Sequence, residues 1–337
     1  MTYGIIGSTG HIGRHVSEIL EKRGYRILKA GRSLKNSDKE RQLDINDKEN
    51  LRQFISECDL VINCAGPSTF ISEKILTECI LLGKNYIDAF GWIEDIDRRD
   101  YKDSVIVLNA GTVPGLPGIL AKYLSKEGSG KLMVCSGGIE MAGKSSLIDM
   151  IVSSFNGYSS PGMEIREGKP EKVSYQVNAS FLNMPGILQP LITAEIRDIS
   201  NILGYKNICN YNIWPDESLK NLMIEGCMLY ASAKEEGDKN SAIEKIYRKL
   251  SEAVTVKKSW YRLLVKAEYK TESQIVDIRT KDSSVLTALV ICHIAERLGK
   301  NNKLRPAYYR PFELADTGKL LEEISNYDID ISIYGEI

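Results

Sequence analysis

The sequence predicts an α/β protein: a doubly wound parallel sheet, then a second α+β domain built on a mixed or antiparallel sheet. Three observations carry this expectation. Residues 1–128 repeat the order of apolar strand, glycine-bearing turn and helix. The 337 residues exceed one ordinary core, since domains run to roughly 100 to 200 residues. From Lys131 the pattern changes to β-rich segments separated by longer helices. The expected domains are therefore 1–128, completed by 304–337, and 129–303, with a cleft between them.

The first strand is Tyr3-Gly4-Ile5-Ile6-Gly7, and Ile12, Val16, Ile19 and Leu20 then recur at helical spacing until Gly24. Between them lies Gly7-Ser8-Thr9-Gly10-His11-Ile12-Gly13. Glycine fits there because the turn needs unusual dihedrals, a phosphate must approach the backbone, and helix and strand must pack closely. The helix that follows offers unpaired amides and its positive end to a dinucleotide pyrophosphate. The spacing is G-x-x-G-x-x-G rather than G-x-G-x-x-G, so its weight comes from the strand and helix legible on either side. A Rossmann-type nicotinamide-dinucleotide site is expected.

The second strand, Tyr25–Ala30, ends in Gly31-Arg32-Ser33. An acidic residue at this point accepts from the ribose 2'-hydroxyl of NAD, whereas arginine pairs with the 2'-phosphate of NADP. Arg32 and Ser33 thus point to NADP over NAD, the alternative being a solvated surface arginine. Asp44 lies either near the adenine or at the cap of the next helix. The fourth strand, Leu60–Ala65, runs into Gly66-Pro67, which puts Cys64, Ala65, Gly66 and Pro67 along the cofactor towards its nicotinamide. A helix over Glu73–Leu82 and the strands Asn85–Asp88 and Ser104–Asn109 follow, the last leading to Gly111-Thr112-Val113-Pro114-Gly115.

Composition narrows the function. Lys plus Arg number 44 against 45 Asp plus Glu, so the net charge of -1 gives no reason to expect nucleic acid or an anionic membrane. No apolar run approaches the roughly 20 residues of a membrane span. Met1-Thr2-Tyr3 enters a strand without the regions of a secretory signal, so a cytoplasmic location is expected. Cys58, Cys64, Cys79, Cys135, Cys209, Cys227 and Cys292 are scattered singly and read as structural thiols. His11, His15 and His293 show no metal spacing, and a Ser-His-Asp hydrolase is equally unexpected.

Taken together, the Gly7–Gly13 turn, Ala30-Gly31-Arg32, Asn63-Cys64-Ala65-Gly66-Pro67, Tyr86-Ile87-Asp88 and Gly111-Thr112-Val113-Pro114-Gly115 resemble the saccharopine dehydrogenase-like reductases. The resemblance is strongest over residues 1–125. It continues weakly to Arg305-Pro306-Ala307 and the segment 314–333, which look like that family's return to its first domain. It implies an NADPH-dependent oxidoreductase acting on C=N or a similarly polarised double bond, and a homodimer. The family includes opine-type enzymes using free amino and oxo acids, and trans-acting imine or enoyl reductases whose substrate arrives on a carrier protein.

In the second domain, Lys131–Gly138 reads as a strand, Ser145–Phe155 as a helix, and Val173–Leu182, Trp260–Tyr269 and Ser273–Arg279 as β-rich. Helices are expected over Ala242–Val254 and Val285–Leu298, and Asn156–Pro170 reads as a loose loop or a lid. Hydride transfer draws its difficult chemistry from the cofactor, and an iminium is already protonated. The candidates for fixing substrate or relaying a proton are Tyr86 and Asp88, read otherwise as a core aromatic and a loop brace. Lys144 before a helix is a substrate anchor or a solvated lysine. His293 is expected in the core. Lys144, Arg166 and Arg197 would suit a carboxylate substrate, and Trp92, Phe155, Tyr158 and Phe181 an apolar tunnel. A non-catalytic NADP sensor is the reading from another class.

Overall fold

The computed structural model describes residues 1–126, 130–141, 143–173, 186–300 and 304–336. The chain begins with β1 (Thr2–Ile6), α1 (His11–Lys22), β2 (Arg26–Gly31), β3 (Glu40–Gln42) and α2 (Lys48–Ser56). Then come β4 (Leu60–Asn63), α3 (Ser68–Leu81), β5 (Asn85–Asp88), β6 (Val105–Val107) and α4 (Leu116–Leu124). The second sheet is supplied by β7 (Lys131–Ile139), β8 (Ser159–Pro161), β9 (Met163–Arg166), β10 (Lys169–Lys172), β11 (Ile187–Thr193) and β12 (Asn207–Trp214). The helices α5 (Lys144–Ser153) and α6 (Ala194–Leu203) lie among these strands. After them run α7 (Glu217–Ser232), α8 (Glu236–Val256), β13 (Trp260–Glu268), β14 (Ser273–Thr280) and α9 (Ser283–Lys300). The chain closes with β15 (Ala307–Tyr309), α10 (Pro311–Leu314), α11 (Thr317–Ser325) and β16 (Asp330–Glu336).

The first sheet has the order β3-β2-β1-β4-β5-β6-β15, and every pair in it is parallel. Chain direction across the sheet reverses between β1 and β4, which is where doubly wound sheets open a ligand crevice beyond their strand ends. Strand β4 is buried on both faces, which is why Leu60-Val61-Ile62 reads as a continuous apolar run rather than an alternating one. Helix α1 buries Val16, Ile19 and Leu20, the stripe that marked it in the sequence.

The second sheet runs β10-β9-β12-β7-β13-β14-β16, with β11 against both β12 and β8. It is mixed: β7 and β12 are parallel, and β13, β14 and β16 are antiparallel to their neighbours. A core of Ile139, Leu147, Ile151, Leu222, Ile243 and Ile246 joins it to α5, α7 and α8.

Several boundaries differ from expectation. The chain divides into Met1–Ile119 with Ser284–Ile324, and Leu120–Ser283 with Ser325–Ile337. Helix α9, expected in 129–303, falls in the first unit because it packs on α1: Arg23 pairs with Glu296, and Cys292 meets the Val16 carbonyl. Strand β16, expected to complete the first domain, pairs instead with β14 from Ser273 to Arg279. Helix α3 starts at Ser68, not Glu73, because its opening residues bury Ser68 and Ser72 and expose Phe70, so burial there does not follow the apolar residues. The stretch 156–170 is neither loop nor lid. It contains β8, β9 and the start of β10, with Glu167 and Gly168 at positive φ forming a two-residue hairpin turn between Arg166 and Lys169. Of the strand expected over 173–182, residues 174–182 lie outside the described residues.

Candidate functional site

The glycine turn after β1 is tied to the end of β2, with the Gly7 and Ser8 amides both donating to the Ala30 carbonyl. Its three glycines answer to different constraints. Gly7 has φ +77, and a Cβ there would lie 2.6 Å from the Ala65 amide nitrogen. A Cβ on Gly13 would lie 2.2 Å from the Gly7 carbonyl oxygen, so the helix can pack on the turn only with glycine. Gly10 is different: a Cβ would meet only the Gly7 oxygen, at 3.3 Å, leaving the other side of the position open. Gly10 caps α1 with no side-chain bond, and no acidic residue stands in the helix's first turn. The amides of His11, Ile12 and Gly13 are first-turn donors without intrahelical acceptors. Such a cradle fits a pyrophosphate.

Around it the structure brings together most of the residues expected to bind cofactor. Ser8 is buried against Ala30, whereas Thr9 and His11 are exposed. Arg32 and Ser33 follow β2 in exposed positions, and Arg32 makes no ion pair with a described residue. Cys64, Ala65, Gly66 and Pro67 form the turn after β4, with the Cys64 amide bonded to the Ile6 carbonyl and a cis Gly66-Pro67 bond. Asp44 follows β3 and accepts from the Asn46 amide. The cap of α2 is Asp47, so Asp44 braces the preceding turn.

Tyr86 and Asp88 are brought together, but neither reaches solvent: both are 0% exposed, at the end of β5. The Asp88 carboxylate accepts from Asn63 Nδ2 at 2.9 Å, Ser72 Oγ at 2.6 Å, the Tyr86 hydroxyl, and the Phe90 amide at 3.2 Å. Burial pushes Asp88 up to about 6, opposed by bonds from Asn63, Ser72, Tyr86 and Phe90. Burial, and then the Asp88 charge, push the Tyr86 hydroxyl well above its usual range. Their burial matches the alternative reading of a core aromatic and a loop-bracing carboxylate. Asn63, Ser68 and Ser72 were not anticipated. Their signal was an asparagine ending an otherwise apolar strand and two serines four apart on one helix.

Lys144 matches its alternative reading, a lysine at the surface beside a helix start. It opens α5 and is committed to Glu244, its ammonium also lying 5.1 Å from the Tyr247 ring centre. Arg166 pairs with Glu164, and Arg197 donates to the Gly157 and Tyr158 carbonyls and to Ser160 Oγ. These cations brace their own unit. Of the aromatics proposed for a tunnel, Tyr158 is buried, Phe155 is exposed, Trp92 is half-buried, and Phe181 lies outside the described residues. His293 is a core histidine as expected, 2% exposed. Its Nε2 accepts from the Asp316 amide at 3.2 Å, which leaves Nδ1 to donate to Glu323.

The seven cysteines are free, and no group of three or more His, Cys, Asp or Glu among the described residues is placed to hold a metal ion. No helix of the described residues is long and apolar enough to cross a membrane.

The model of the NAD dependent epimerase/dehydratase family matches residues 4–112, the span containing the glycine turn and the strands through β6. No curated protein matches the sequence. Among solved structures, apo saccharopine dehydrogenase (L-Glu forming) from Saccharomyces cerevisiae aligns over 100% of both chains at 11% identity, with a TM-score of 0.64. A meso-DAPDH variant from Clostridium tetani covers 97% of this chain and 99% of its own at 13% identity, TM-score 0.48. UDP-N-acetylglucosamine 4-epimerase from Bacillus cereus covers 26% of this chain and 37% of its own at 17% identity, TM-score 0.23. With its all-parallel first sheet, glycine turn and mixed second sheet, the chain has the fold of that saccharopine dehydrogenase, its first unit a Rossmann-type doubly wound sheet.

Proposed function

We propose that this protein is an NADPH-dependent oxidoreductase that reduces a C=N bond or a similarly polarised double bond of a small substrate. The observation that carries the cofactor reading is the open cradle at Gly10 together with an exposed Arg32 that makes no ion pair among the described residues. A guanidinium with no ion pair among the described residues is available to a 2'-phosphate, and no acidic residue at that position favours the plain ribose. Gly7, Ser8, Thr9, Gly10, His11, Ile12 and Gly13 would hold the pyrophosphate, Arg32 and Ser33 the 2'-phosphate, and the turn Cys64–Pro67 the nicotinamide half.

When bound, the reduced cofactor supplies a hydride to the substrate carbon. The chain's part is to orient the acceptor and exclude water. The three residues expected to handle protons or anchor substrate are buried or ion-paired, which favours an acceptor that needs no dedicated acid. An iminium fits that description, since its nitrogen is protonated before hydride arrives. The fold shared with a saccharopine dehydrogenase supports the same bond type.

The test is to compare NADPH and NADH binding, then to follow NADPH oxidation with amino-acid plus oxo-acid pairs and with thioester-linked enoyl or imine compounds. Oxidation with the free pairs is expected. Turnover confined to thioester-linked compounds would replace the free substrate by a carrier-bound one, and binding without any oxidation would leave a sensor.

A further inference from the structure

The Asp88 carboxylate gathers donors from three elements. Its Oδ2 accepts from Asn63 on β4, Ser72 on α3 and Tyr86 on β5, and its Oδ1 from the Phe90 amide, with Ser68 Oγ of α3 at 3.5 Å. The titratable groups beside it are Tyr86 and Cys64, both held protonated by burial, and no cation pairs with it among the described residues. The hydrogen bonds suit an acceptor with nothing to donate, which is an ionised carboxylate, while burial opposes the charge. A protonated one must direct its O–H at one of these donors.

Asn63 carries the consequence outward. Because its Nδ2 is committed to Asp88, its Oδ1 turns to accept the Ala65 amide at 3.1 Å. That amide nitrogen is the atom nearest the space beside Gly7, 2.6 Å from where a Cβ would stand. The carboxylate, the asparagine and the glycine turn thus form one relay across β5, β4 and β1.

We propose that ionised Asp88 is the positioning residue of the dinucleotide cradle, orienting Asn63 so that the Ala65 amide is fixed against the Gly7 turn. The inference rests on the dinucleotide-binding reading above. Protonating Asp88 sets its O–H against the Asn63 or Tyr86 donors and loosens the Ala65 turn, so affinity falls as pH drops through about 6.

Titrating the full chain with NADH and NADPH by nicotinamide fluorescence between about pH 5 and 8 tests this, NADH because it lacks the 2'-phosphate, which itself titrates near 6. For both dinucleotides Kd is expected to rise about tenfold per pH unit below the Asp88 midpoint. Ser72→Ala removes a donor that favours the ionised form, so it moves that midpoint upward. Asn63→Ala weakens binding at neutral pH and flattens the profile, because the relay is cut. An NADH profile without a step near 6 overturns the proposal even if a variant fails to fold, and so does a midpoint that Ser72→Ala leaves unmoved. Failure of both dinucleotides to bind at any pH overturns the dinucleotide reading itself, and this inference with it.

Discussion

Asp88 in the first unit and Asp277 in the second are buried to nearly the same degree, 0% and 3% exposed, yet they are solvated in opposite ways. Asp277 takes a bidentate pair from Arg262, at 2.7 and 2.9 Å, and a further bond from Arg279 at 2.8 Å. Arg262 and Arg279 are themselves cross-strand partners on β13 and β14. Asp88 has only neutral donors. The first arrangement offsets the desolvation of a carboxylate with fixed positive charge and joins two strands. The second leaves the desolvation unbalanced at neutral pH, a cost that is tolerated where a charge serves binding.

The largest effect should come from breaking the compensated carboxylate. Asp277→Ala leaves Arg262 buried beside Arg279 with no counter-charge, and denaturant unfolding should show a loss of about 3–5 kcal/mol. A loss under about 1 kcal/mol would remove the contrast, since Asp277 would then be no more structural than a surface ion pair.

Asp88 should behave with the opposite sign. Its folded value of about 6 lies above the ordinary 3.8, so the folded state binds the proton more readily than the unfolded chain. Its contribution to stability is therefore fully present below the unfolded value and lost as pH rises through the folded one, a difference of about 3 kcal/mol. Wild type should gain roughly that much over Asp88→Asn as the solution is acidified from about pH 7 to 4, in unfolding free energies measured in parallel. A difference that stays constant with pH would mean that Asp88 is not the group titrating.

The third effect concerns a cation without an ion pair among the described residues, Arg32. Arg32→Asp should weaken NADPH binding by about 10- to 100-fold, the worth of a charge-assisted bond to phosphate, and leave NADH much less affected. Equal losses for the two dinucleotides would make Arg32 a general phosphate or solvent contact and withdraw the NADP assignment.

How much of this was legible in the sequence follows from range. The Gly7–Gly13 turn, β4 and α1 are local patterns, and local patterns are what periodicity and turn chemistry report. The segments 187–203 and 207–232, with β11, α6, β12 and α7, are not legible as elements in the sequence, since mixed sheets take their register from distant strands. Tyr86 and Asp88 are strand-end residues close together in the sequence, but the hydrogen bonds that hold Asp88 come from Asn63 and Ser72, 25 and 16 residues away along the chain. The ion pair of Lys144 is illegible for the same reason: its partner Glu244 is 100 residues distant, and a helix start looks the same in sequence whether its lysine is free or taken.

That lysine supplies the smallest effect and the closest control for Arg32. Lys144 and Glu244 are both exposed, so their attraction is screened by water and partly consumed in ordering two long side chains. Lys144→Ala should change stability by less than about 1 kcal/mol, including the weak contribution of the Tyr247 ring. It should also leave the KM for a carboxylate-bearing substrate unchanged, because a group already paired within its own unit has little to offer a ligand. A rise in KM with stability intact would show that the ion pair opens to receive substrate, and would put one compensated charge on the functional side of the division that Asp88 and Asp277 define.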